Sequence, residues 1–136
     1  MTGVDYAVQA ELHRAAFEQG PDAIIVVSTS GSILAANVQA ELLTGRSRKD
    51  LIGRKVEDLI PADLRERHVA HRTAYARNPY RRLMGPDLDL SILQHSEDGD
   101  TPVRVDINLA PAPVSIGVVV VLTIRQRDGA QWGGGR

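Results

Sequence analysis

The chain has no cysteine, which excludes a disulfide framework, a thiolate nucleophile, an iron–sulfur cluster and a cysteine-linked flavin. Aromatic side chains are scarce too: one Trp, one Phe and three Tyr among 136 residues. Neither sign of charge prevails, since 16 basic and 17 acidic residues leave a net charge of −1. No global basic field therefore exists to draw in nucleic acid or an anionic membrane. Uninterrupted apolar runs stop at five residues, as at 118–122, against roughly 18 for a membrane-spanning helix. Residues 1–20 carry Asp5, Glu11 and Glu18 and hold no continuous apolar stretch, so they are not a secretory signal. These absences make a cytoplasmic protein the expectation.

Catalytic signatures are missing as well. The chain contains no Gly-x-Ser-x-Gly, no Gly-x-x-x-x-Gly-Lys-Ser/Thr and no Gly-x-Gly-x-x-Gly. Gly45-Arg46-Ser47 lacks the second glycine of a nucleophile elbow, and the carboxylates are scattered. His68 and His71 stand three apart, whereas a zinc-binding helix presents two histidines four apart and recruits a third ligand. The expectation is a protein that is not an enzyme and holds no metal through its own side chains.

What is present suits one domain. Arginine outnumbers lysine fourteen to two, and with abundant Ala, Gly and Pro this usage points to a GC-rich bacterial genome. Val4, Val8, Leu12 and Ala15 form a narrow apolar stripe that predicts a helix over 4–19, ended by Gly20-Pro21. A helix this short is marginal alone, so its stripe is expected to dock. Residues 23–27 and 32–36 read as strands around the turn Ser28-Thr29-Ser30-Gly31, a β-hairpin. Asn37 favours an N-cap for a short helix carrying Ala40, Leu42 and Leu43 and closed by Gly45. Ser47-Arg48-Lys49-Asp50 has capping-box spacing before one turn that Gly53 ends, and another short turn is predicted across 57–59.

Pro61 suits the first turn of the longest internal helix, 61–77, which Asn78-Pro79 stops. Three strands are predicted after it, at 83–94, 101–110 and 116–124. The second alternates Val103, Val105, Ile107 and Leu109 with polar residues; the third is apolar nearly throughout, which argues a central strand covered on both faces. Five strands with a block of helices between the second and third make an α+β fold: an antiparallel sheet with helices on one face, plus an N-terminal flanking helix. The implied organisation is a flanking helix at 1–20, a domain at 21–127 and a Gly-rich tail at 128–136 that carries Trp132 and is expected to be loose.

Four stretches in order resemble a PAS domain, the sensory module of bacterial signalling proteins. They are Ala23-Ile24-Ile25-Val26-Val27 with Gly31; Ala36-Asn37 through Leu42-Leu43-Thr44-Gly45 to Leu51-Ile52-Gly53; Asp58-Leu59-Ile60-Pro61 through Arg67-His68 to Tyr75; and Glu97-Asp98-Gly99 before Pro102-Val103. The resemblance spans about residues 22–127. The family's Asp-Ile-Thr ending, where a signal leaves the domain, is replaced by Arg125-Gln126-Arg127-Asp128.

The resemblance implies a chamber between a curved sheet and the helices. A core poor in rings packs less bulk per position and leaves room for an elongated apolar ligand, a fatty-acid-like one included. The expected wall residues are Leu59, Leu64, His68, His71, Tyr75, Leu90, Ile107 and Val120, with His71 and Tyr75 as polar anchors for a carboxylate or carbonyl. In oxygen-sensing members of the family the haem ligand is a histidine on the long helix, and counting back from Gly85 puts His68 near that position. Those sensors carry an arginine where this chain has Leu88. The competing readings are a haem-based gas sensor using His68 and a collapsed, ligand-free core serving protein interaction.

Arg65, Arg67, Arg72, Arg77, Arg81 and Arg82 gather around the long helix, where a solvated face is expected, or docking of an acidic partner. The expectation as a whole is a sensory or dimerising input module of bacterial signal transduction. It requires no cofactor, forms a homodimer through Val4, Val8 and Leu12, and acts on a downstream effector domain or protein.

Overall fold

The computed structural model describes residues 5–85 and 88–127. In chain order the elements are α1 (Tyr6–Gln19), β1 (Ala23–Ser28), β2 (Ile33–Ala36), α2 (Val38–Thr44) and α3 (Arg48–Leu51). Two single 3-10 turns, Val56–Leu59 and Ala62–Leu64, lead into α4 (Arg65–Arg77). The remaining strands are β3 (Arg82–Met84), β4 (Ser91–Ser96), β5 (Gly99–Val114) and β6 (Gly117–Gln126). All pairings are antiparallel, in the order β2-β1-β6-β5-β3 with β4 also on β5. The first strand and the last lie side by side, with Ile25 opposite Leu122.

Period-two burial explains where the core sits. Along β1, Ala23, Ile25 and Val27 are buried while Ile24 and Val26 are half-buried. Leu122 and Ile124 of β6 and Val105 and Ile107 of β5 are buried with them. Ala40 and Leu43 of α2, Leu51 of α3 and Leu59 close over this side of the sheet.

One polar side chain joins three elements. Asn37 is fully buried, and its Oδ1 accepts from the N–H groups of Ala40 (3.0 Å) and Ile24 (2.9 Å). Its Nδ2 donates to the carbonyls of Phe17 (2.8 Å) and Asp22 (3.0 Å). The residue is thus the predicted N-cap of α2 and also the tie that fixes the end of α1 against β1. Gly45 ends α2 at φ 68°, and a Cβ there would lie 2.0 Å from the His95 carbonyl oxygen, so the position requires glycine twice over.

Several boundaries differ from those expected. Helix α1 begins at Tyr6 because the Asp5 carboxylate accepts from Val8 N–H (2.9 Å). Its stripe does not dock within the described chain: α1 has no buried residue, Val8 and Leu12 are 40% and 52% exposed, and Val4 lies outside the described residues. The helix is held by its last turn, through Asn37 and through Arg48, whose Nη2 lies 2.8 Å from Glu18 Oε1. The helix predicted over 61–77 starts instead with a separate 3-10 turn, in which Leu64 N–H bonds to the Pro61 carbonyl.

The strand predicted over 83–94 is interrupted, giving six strands rather than five. Met84 faces Ile107 and Ser91 faces Arg104, so two pairings that stand three positions apart along β5 are seven positions apart on the other side. Gly85-Pro86 is the cause legible in the sequence, since proline offers no N–H to a ladder. Strand β6 is central, between β1 and β5, but the face carrying Val119, Val121 and Thr123 is only partly covered: Val119 is buried, while Val121 and Thr123 are half-buried. Beyond β3, strand β5 continues through Pro111 and Pro113, which have no N–H for an added strand. The expected loose tail and Trp132 fall outside the described residues. Among the described residues no helix is long and apolar enough to cross a membrane.

Candidate functional site

Helix α4 contributes no buried residue to the core. Its sequence, Arg65-Glu66-Arg67-His68-Val69-Ala70-His71-Arg72, has too few apolar side chains to lie flat on a sheet, and polar ties hold it instead. The main tie is Glu57, on the 3-10 turn before it and only 6% exposed. Glu57 Oε2 takes His68 Nδ1 at 2.7 Å and Arg72 Nε at 2.9 Å. An ionised carboxylate only accepts, so the His68 hydrogen sits on Nδ1. Arg72 also donates to Glu57 Oε1 (3.3 Å) and to the Thr29 carbonyl (3.2 Å), joining α4 to the β1–β2 turn. Arg65 Nε donates to the Ile60 carbonyl at 2.9 Å. Burial by itself would push the Glu57 carboxyl up; the hydrogen bonds from Arg72 and His68 outweigh it and hold the group below the ordinary glutamate value.

Held this way, α4 stands off the sheet and leaves a cavity of about 110 Å³ beneath it. Val27, Val120, Leu122, Ile107 and Leu109 make an apolar floor from β1, β6 and β5. His68, His71, Arg72, Tyr75 and Ala76 make the roof, and Met84 and Arg82 of β3 close one side. The Tyr75 hydroxyl donates to the Tyr80 carbonyl, and the two rings meet at 5.4 Å between centroids. Burial raises the Tyr75 phenol above its usual value.

Of the eight residues expected to line a chamber, His68, His71, Tyr75, Ile107 and Val120 meet around this cavity. The other three do not. Leu59 is 1% exposed within the close-packed core, where it fills volume instead of bordering it. Leu64 sits on the 3-10 turn ahead of α4, not on the helix, and is 36% exposed. Leu90 packs partly buried against the core at the end of the excursion that splits the strand. Sequence reasoning missed Leu109, Leu122, Val27 and Met84, although Leu109 and Leu122 are the i+2 neighbours of Ile107 and Val120 and share their faces. It also placed Arg72 on a solvated face, whereas this guanidinium turns inward to Glu57.

His68 lines the cavity with a carboxylate behind the ring, an arrangement common for metal-bound histidine, but 110 Å³ is less room than a porphyrin occupies, so haem would have to displace α4 to be seated there. Among the described residues no group of three or more His, Asp or Glu is placed to hold a metal ion.

At the far end of the sheet, Arg125 reaches Asp22 on the β1 side, with Nε 3.3 Å from Oδ1. Arg127 grips Asp106 through Nη2 at 2.7 Å and Nε at 2.9 Å. The same nitrogen, Nη2, reaches the carbonyls of Leu88 and Val105, both at 3.0 Å. The basic residues that replace the family's usual ending are therefore built into the sheet.

Comparison with known proteins gives one family model, described as PAS fold, matching residues 11–112. Similar solved structures include a PAS domain from Colwellia psychrerythraea, 21% identical with a TM-score of 0.70, covering 88% of this chain and 97% of that one. The PAS domain of nitrogen regulation protein NR(II) from Vibrio parahaemolyticus is 21% identical with a TM-score of 0.65, covering 85% and 98%. The PAS domain of the quorum-sensing receptor RpfR from Cronobacter turicensis, in complex with BDSF, is 14% identical with a TM-score of 0.58, covering 80% and 96%.

Proposed function

The chain belongs to the PAS fold family, and on that premise we propose that it is a sensory input module, taking a small, mainly apolar molecule under α4 and passing its occupancy to an effector domain or partner protein. The observation that carries the reading is the unfilled space over the apolar floor of β1, β5 and β6, beneath a helix attached by polar ties. Filling that space gains apolar contacts at once, and a molecule larger than 110 Å³, such as a fatty-acid chain, enters by displacing α4. A ligand that favours one α4 position over another shifts the balance between them by its difference in affinity. The ties of α4 lead to the β1–β2 turn, and β1 pairs with β6, so the readout runs to the last described strand. A PAS domain of similar fold, in the Cronobacter receptor, holds a ligand. The reading is non-catalytic and requires no cofactor.

Native mass spectrometry of freshly purified protein tests it. Retained extra mass, released on denaturation, is expected; bare protein that takes up no small apolar molecule would sink the reading. An absorption spectrum without a Soret band is expected, since the reading requires no cofactor.

The exposed stripe of α1 favours an added role in pairing. Val8 and Leu12 are uncovered, and burying them between two copies supports a homodimer. Sedimentation analysis should give a dimer that Leu12→Ser converts to monomer without loss of fold.

A further inference from the structure

The polar groups on the cavity wall are nearly all spoken for. Arg72 is matched in charge by Glu57, and His68 bonds to the same carboxylate. The Tyr75 hydroxyl bonds to Tyr80, and the Ser28 hydroxyl to Ser30 and to Ser32 N–H. Among the described residues this leaves Thr29, His71 and Arg82 as lining residues whose polar side chains have no hydrogen-bond partner. Each of the three can donate a hydrogen bond, and Arg82 carries a fixed positive charge. Among the described residues no carboxylate lines the cavity to neutralise it, because Glu57 is turned to His68 and Arg72. His71 and Arg82 are both exposed, which puts them at the mouth, above the apolar floor.

We propose that the molecule taken under α4 is a short-chain monocarboxylate, its hydrocarbon tail on the β5–β6 floor and its carboxylate held at the mouth by Arg82, with His71 and Thr29 as further donors. This deepens the sensory reading and rests on it. Size sets the tail: a cavity of roughly 150 Å³ holds benzene, so 110 Å³ suits about four or five carbon atoms. Charge sets the head. A carboxylate accepts bidentate donation from a guanidinium, which an alcohol of equal length cannot do.

The test compares hexanoate, hexanol and hexylamine by amide chemical-shift titration at low ionic strength, on the wild-type chain and on Arg82→Gln. Hexanoate is expected to bind about tenfold more tightly than hexanol, and hexylamine more weakly than either. Shifts should centre on Ile107, Val120 and Leu122. In Arg82→Gln the advantage of hexanoate over hexanol should fall to within about twofold while hexanol binding is unchanged. Equal binding of hexanoate and hexanol to the wild type would overturn the inference and leave the chamber reading standing. A preference for hexanoate that survives Arg82→Gln would overturn the assignment to Arg82. Failure of both hexanoate and hexanol to bind at the floor would remove the chamber reading along with the inference.

Discussion

Where α2 and α3 lie on β1 and β2, apolar side chains close against one another; where α4 stands over β5 and β6, they leave a gap. In the first region Ile25, Ile33, Leu51 and Ala40 have no exposed surface, and even the polar Asn37 is buried with its amide saturated. In the second no residue of the covering helix is buried, and ion pairs and hydrogen bonds from Glu57 do the holding. Close packing resists any change of volume and makes a framework. Polar ties between a helix and a turn can be exchanged for water, which makes that helix the part a ligand can move.

The contrast breaks most visibly on truncation of leucines. Leu51→Ala should cost about 3 to 4 kcal/mol, because the packed region cannot collapse around the loss, while Leu109→Ala beside the cavity should cost about half as much. Urea denaturation measures both, and equal costs would erase the distinction. Asn37→Ala should cost about 3 kcal/mol, since it strips partners from four buried or partly buried backbone groups of α1, α2, β1 and the turn before β1.

Glu57→Gln sharpens the other side. It should destabilise the fold by about 2 kcal/mol at neutral pH, leaving the Arg72 guanidinium without its counter-charge and weakening the acceptor of the His68 Nδ1 bond. The carboxyl is held below its ordinary value, so its contribution is complete above about pH 4.3 and fades as pH falls through the lowered value. Thermal melts of wild type and variant should therefore converge in acid; a gap that persists or widens there would refute the ionic tie. The smallest effect is expected at Glu18→Gln, which loosens the bidentate pair with Arg48: within about 0.5 kcal/mol on global stability, yet faster amide exchange along α1.

Local chemistry was legible in the sequence wherever one residue decides a conformation. Asn37, Gly31 and Gly45 announced a cap, a hairpin turn and a helix end, and the alternation of Val103, Val105, Ile107 and Leu109 announced a strand. The antiparallel sheet with helices on one face followed from those elements and the resemblance they carried. The split between β3 and β4 was harder, because Leu83, Leu88, Leu90 and Ile92 supply apolar residues on both sides of a break that Gly85-Pro86 marks but does not measure. The Glu57 tie lay further out of reach. Its partners, His68 and Arg72, belong to another element, and no periodicity links residue 57 to residues 68 and 72. A cavity is likewise a relation among strands, so Leu109 and Met84 join it through registers that only pairing fixes.

The grip of Arg127 has a mechanical meaning. Its guanidinium clasps Asp106 and the carbonyls of Leu88 and Val105, bracing the foot of β6 against β5 and the strand interruption. A pull on the polypeptide past that point loads these bonds side by side, in shear, before β6 can unzip from its neighbour. A force applied at that end would thus be felt first at Asp106 and Leu88, before the β1–β6 pairing is strained.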